Sequence, residues 1–262
     1  MAYGEPTDRF NRERRRVSGL AATLLIIVSA YAVLLSLSAQ GSPPGVGTRT
    51  DALLMSGLLA AVSCAGIVAT ARPSQCMGLL SPGRRSELPP GLPENPEGTP
   101  SFPLVAHHCS CGRFDNHTLR FADRAWCAGC LGMAAGGACG VGLAVALGAG
   151  LLFLDGTADL ATALLGAAAS AAGLAQLYRP SSPRMHAAAN LAFVLGAALL
   201  AALLSTHGIA AGVFGLLAAL ALAGLRIEMS RWRHLSVYAG CPWQGACRGA
   251  SALAAARPET RR

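Results

Sequence analysis

Apolar residues gather along this chain in six long uncharged stretches: Val17–Ala39, Ala52–Ala71, Leu131–Leu154, Leu160–Tyr178, Ala187–Thr206 and Gly208–Leu225. About 20 apolar residues cover the hydrocarbon core of a bilayer, and each stretch has roughly that length. Apolar and polar positions do not alternate within them, and alanine and leucine dominate. A backbone in lipid must satisfy its own polar groups, so these runs predict helices rather than strands. The expected fold is all-α, a polytopic membrane bundle of about six transmembrane helices.

The polar intervals divide the chain further. Residues 1–16 form a basic N-terminus, 17–71 a two-helix hairpin, 72–106 a linker, 107–130 a Cys/His-rich loop, 131–225 a four-helix membrane unit and 226–262 a basic tail. The linker carries eight prolines between Pro73 and Pro103, a composition that cannot build a core and predicts disorder. Arg14, Arg15 and Arg16 precede the first span and Ser38–Ala39 end it with small residues, as in a signal sequence. The span is long for a signal core, however, and reads as a retained helix.

Composition supports the membrane assignment: 53% of residues are hydrophobic and 13% charged, against about 25% charged in a soluble domain. The net charge of +8 raises the question of nucleic acid, but position excludes it as a partner. All 21 basic residues are arginines, and they collect in the tails and beside span ends. With the N-terminus in the cytosol, every arginine but Arg49 lies inside, the bias expected of cytoplasmic segments. The lipid bilayer is thus the expected partner, the inner membrane the expected location, and both termini are expected in the cytosol.

Chemistry concentrates in one window. Cys109, Cys111, Cys127 and Cys130 lie within it together with His107, His108 and His117. A reducing compartment disfavours a stable disulfide there and favours metal binding or redox chemistry. Cys127 and Cys130 are three apart at the start of a span, where helical neighbours share a face and unpaired backbone N–H groups favour thiolates. The spacing of Cys109 and Cys111 is tighter than that of common zinc hairpins, so His107 or His108 is read as a replacement ligand. The leading expectation is a metal site of structural or sensing role made by Cys109, Cys111, Cys127, Cys130, His107 and His108, with Zn2+ fitting such donors. One alternative is a membrane thiol-disulfide oxidoreductase using Cys127 and Cys130; another is a metal-ion transporter.

Around these residues the chain resembles an uncharacterised family of small prokaryotic membrane proteins. The family's signature is a His-containing motif, a polar stretch with a basic residue, and Cys-x-Arg-Cys-x-Gly opening a transmembrane helix. His107-His108-Cys109, Arg120 and Cys127-Ala-Gly-Cys130-Leu-Gly132 are similar to it, and Arg179-Pro-Ser-Ser-Pro-Arg184 is similar to a second, looser motif. The resemblance spans roughly His107 to Gly196 and implies a shared fold without an activity. Gly129 stands where the family pattern has arginine.

The remaining features read more plainly. Gly132, Gly136 and Gly140 form a repeat suited to close helix packing within the bundle, or to a homo-oligomer. Cys64 and Cys139 read as packing residues and His186 and His207 as ordinary boundary residues, while Asn190 and Gln176 read as makers of interhelical hydrogen bonds. No Asp, Glu, Lys or Arg falls inside an expected span, which weighs against an ion-coupled transporter. Cys241 and Cys247 form a second pair, six apart with no histidine between them, a weaker candidate for completing the first site or making another. Phosphate-binding glycine loops, nucleophile elbows and HExxH helices do not occur in the sequence.

Overall fold

The computed structural model describes residues 5–38, 49–71, 104–105, 108–109, 115–121, 124–151, 156–178 and 182–239. The linker apart from Leu104 and Val105, together with His107, Cys111, Cys241 and Cys247, lies outside the described residues, and His108 and Cys109 are described by their backbone alone.

Six helices account for nearly all of the described chain: α1 (Glu5–Ser38), α2 (Arg49–Ala71), α3 (Ala128–Gly148), α4 (Gly156–Ala175), α5 (Pro183–Thr206) and α6 (Ile209–Ala239). Each contains a segment long and apolar enough to cross a membrane. The all-α polytopic architecture read from the sequence is therefore the architecture of the protein.

Several helices differ from their expected limits: α1 begins at Glu5, within the expected basic N-terminus, and α2, α4 and α5 begin three or four residues early. α3 begins at Ala128 rather than Leu131, so Cys127 is its N-cap and Cys130 lies in its first turn. The same helix stops at Gly148 rather than Leu154. α6 runs on through Ala239, where the sequence had placed a basic tail from residue 226.

α5 occupies the centre. More than half of its spanning window is buried, against less than a fifth for α2. It packs against α3, α4 and α6, with α1 and α2 touching it at the margins. The two N-terminal helices take different partners, α1 lying on α4 and α6 and α2 on α3. The helix α1 gives Ala21, Leu25, Val28 and Ala32 to the main core, which includes Phe193, Leu200, Leu203 and Leu204 of α5. A second cluster joins Met55 and Leu59 of α2 to Ala144 and Leu147 of α3. Ser56 ties these two helices by donating to the Ala144 carbonyl at 2.7 Å.

Small residues set how closely the central helices approach. A Cβ on Gly132 would fall on the Ala187 carbonyl, and one on Gly136 would come within 2.6 Å of Val194 Cβ. These glycines therefore let α3 and α5 meet backbone to backbone, the intramolecular use expected of the repeat. α5 starts cleanly because Ser182 caps it, accepting from the Met185 N–H at 3.3 Å, with Pro183 in the first turn. It ends at a tight turn in which Gly208 takes φ +107°, a conformation open to glycine. Asp159 at the head of α4 meets His207 of this turn at 3.6 Å.

At the opposite end the polar segment before α3 is not a plain loop. β3 (Thr118–Phe121) pairs antiparallel with β4 (Arg124–Cys127), following β1 (Leu104–Val105) and β2 (His108–Cys109), which pair with each other. The β3–β4 hairpin runs directly into α3.

Candidate functional site

The register of the second hairpin places Thr118 opposite Cys127. His117, the last residue of a short 3-10 turn (Asp115–His117), is thereby carried beside Cys127 at the mouth of α3. This turn packs on α5, whose first residues include His186. The rings of His117 and His186 meet edge to face with centroids 4.8 Å apart, and both residues are buried.

Cys127 faces the same place. A point at the Cβ position of Gly129 lies 3.2 Å from His186 Nε2 and 3.7 Å from Cys127 Sγ. The imidazole edge and the sulfur therefore flank one small space at the start of α3. Glycine at position 129 keeps it clear, and a bulkier residue there would contact both groups. Cys127 and Cys130 are thiols rather than a disulfide, each partly exposed.

Behind His186 lies a buried polar network built by three helices. Gln176, in a 3-10 turn (Gln176–Tyr178) that ends α4, places its Nε2 2.8 Å from His186 Nδ1. Asn190, one turn along α5, donates through Nδ2 to the His186 carbonyl at 2.7 Å. From α6, Arg226 donates through one terminal nitrogen, Nη2, to Asn190 Oδ1 at 3.1 Å and to Gln176 Oε1 at 3.4 Å. Its guanidinium carbon also stands 5.9 Å from the Phe193 ring centroid, within the range of a cation–π contact. Arg233, two turns further on, donates to the Gln176 carbonyl at 3.4 Å. Asn190 and Gln176 thus bond across helices, as their expected role required.

Two sequence expectations change here. His186 is no ordinary boundary residue: it is 5% exposed and joins the network to the cysteine. An ionisable residue does lie inside a spanning segment, because Arg226 falls within Ile209–Ser230 and is 2% exposed. Intramembrane charge is costly and is retained where it faces a bundle interior and finds partners, as Arg226 does. The sequence contained a signal for both. His186, Asn190, Phe193 and Ala197 recur at helical spacing and are all buried, as are Leu222, Arg226 and Met229.

Of the residues expected to hold a metal, Cys127 and Cys130 sit together at the start of α3. The side chains of His107, His108, Cys109 and Cys111 lie outside the description. Among the described residues, no three His, Cys, Asp or Glu side chains are grouped as a metal site. Cys64 and Cys139 are exposed on the spans, not buried within the packing as expected. Comparison with known proteins gives no match to a family model, to a curated protein or to a solved structure.

Proposed function

We propose that the chain is a multi-pass protein of the inner membrane with cytosolic termini, and that Cys127 and Cys130 form a reactive dithiol working in thiol-disulfide exchange. The observation that carries this reading is the convergence of Cys127 Sγ and the His186 imidazole on one space at the start of α3. Cys127 and Cys130 are one helical step apart, as a pair that closes a disulfide requires. Arg226 and Arg233 add positive charge behind the imidazole, through their bonds to Asn190 and Gln176.

The chemistry balances with an external disulfide as oxidant. The Cys127 thiolate attacks one sulfur of that disulfide, forming a mixed disulfide and releasing the other half as a thiolate. Cys130 then attacks the Cys127 sulfur, closing the Cys127–Cys130 bond and releasing the second thiolate. Two electrons pass from the protein to the oxidant, and the released thiolates take up the two protons lost by the cysteines. On this reading the resemblance carried by Cys127, Cys130 and Gly132 is a likeness of the dithiol and of the tight crossing beside it.

Detergent-purified full chain, equilibrated in glutathione mixtures and alkylated, tests the proposal. A reversible Cys127–Cys130 disulfide is expected, with Cys130→Ser trapping a mixed disulfide on Cys127. If the reduced protein instead retains about one equivalent of metal, and Cys127→Ser loses it, the zinc-type site expected from Cys109, Cys111, Cys127 and Cys130 takes its place.

A further inference from the structure

Arginine can only donate hydrogen bonds. The atoms of Gln176 and Asn190 that face Arg226 must therefore be their amide oxygens, as the contacts at 3.4 and 3.1 Å have them. With its oxygen turned to Arg226, Gln176 turns its NH2 group toward His186 Nδ1, 2.8 Å away. Nδ1 must then accept, using its lone pair. A neutral imidazole carries one ring proton, so that proton resides on Nε2.

Nε2 is the nitrogen on the Cys127 side. It lies 3.2 Å, and the sulfur 3.7 Å, from the same point above Gly129. The ring has little freedom to turn away, since Gln176 holds Nδ1 at 2.8 Å and the His117 ring packs against it edge to face. Among the described residues, the ionisable side chains that face His186 are His117, Cys127, Arg226 and Arg233.

The geometry assigns Arg226, Gln176 and His186 to a tautomer lock that keeps the one ring N–H on the Cys127 side and holds the Cys127–Cys130 pair toward its dithiol form. An N–H directed at sulfur stabilises it more as thiolate than as half of a disulfide, so the donor shifts the redox equilibrium toward reduction. These three are positioning residues: Arg226 orients Gln176, Gln176 fixes the proton on His186, and His186 presents it. This inference rests on the dithiol reading and adds what sets the pair's redox equilibrium.

The test is the glutathione equilibrium of the full-length protein, read by differential alkylation and peptide mass at Cys127 and Cys130. His186→Phe removes the donor and is expected to shift the equilibrium constant about tenfold toward the disulfide, a change of about 30 mV for a two-electron couple. His186→Gln restores an N–H near the Nε2 position and is expected to stay within about threefold of wild type. Gln176→Leu frees the choice of tautomer and is expected to fall between the two. A merely structural role would move His186→Phe and His186→Gln alike, and equal shifts, or none in Gln176→Leu, would overturn the lock. If wild type forms no reversible disulfide, the dithiol reading fails instead.

Discussion

Replacing Gly132 by alanine tests the packing that creates the site. The added Cβ would fall on the Ala187 carbonyl and stand 2.9 Å from Asn190 Cβ, where ordinary carbon contacts begin near 3.5 Å. Because one obstacle is backbone, it cannot rotate aside, and α5 must retreat from α3 by at least about 0.6 Å, the shortfall in that contact distance. Overpacking of this kind costs about 1–3 kcal/mol. Exchanging glycine for alanine within a helix returns about 1 kcal/mol. Gly142→Ala is the control, since a Cβ there meets nothing within 4 Å and keeps the propensity gain alone. The two variants should therefore differ by about 1–3 kcal/mol, Gly132→Ala being the less stable. Reversible unfolding in detergent mixtures, followed by circular dichroism, measures the difference. Because Ala187 adjoins His186, Gly132→Ala should also disturb the thiol equilibrium, which Gly142→Ala leaves alone. Equal stability of the two variants would refute the backbone contact between α3 and α5.

Other expectations follow from single contacts. Arg226→Met and Asn190→Leu should be coupled by about 1 kcal/mol in a double-mutant cycle, the scale of an interhelical bond in a membrane protein, and strict additivity would remove the Arg226–Asn190 bond from the account. Ser56→Ala should cost about 0.6 kcal/mol through loss of the bond to Ala144, and a loss above about 2 kcal/mol would mean that Ser56 does more than that bond. A membrane-impermeant maleimide added to intact cells should leave Cys127 unmodified while a permeant one reacts. Labelling by both would place the site on the outer face.

The membrane architecture was legible because it depends on a coarse property, uncharged length, that six stretches satisfy independently. Limits were less legible where an ambiguous residue adjoined a span. Ala128-Gly-Cys130 carries no charge and continues into Leu131, yet Cys127 and Cys130 at its two ends made it read as loop; it is the first turn of α3. Arg226 follows an apolar run and reads as an orientation signal, but Leu222, Arg226 and Met229 share the buried face of a helix that does not stop there. The candidate site was half legible. Spacing alone brought Cys127 to Cys130, whereas His186 and Gln176 come from distant parts of the chain, and only the crossing of α4, α5 and α6 brings them to Cys127. The β3–β4 hairpin also escaped notice, although Thr118–Phe121 and Arg124–Cys127 are short strand-like runs separated by two residues.

The central claim is that the mouth of α3 holds two sulfurs able to exchange electrons. Purified full-length protein should be titrated across glutathione mixtures from fully reducing to fully oxidising, with the state of Cys127 and Cys130 read after acid quench. The account predicts a single reversible two-electron transition in which both thiols disappear together, with Cys130→Ser accumulating a glutathione adduct on Cys127. Thiols that remain reduced across the whole range, or that oxidise without returning, would contradict it.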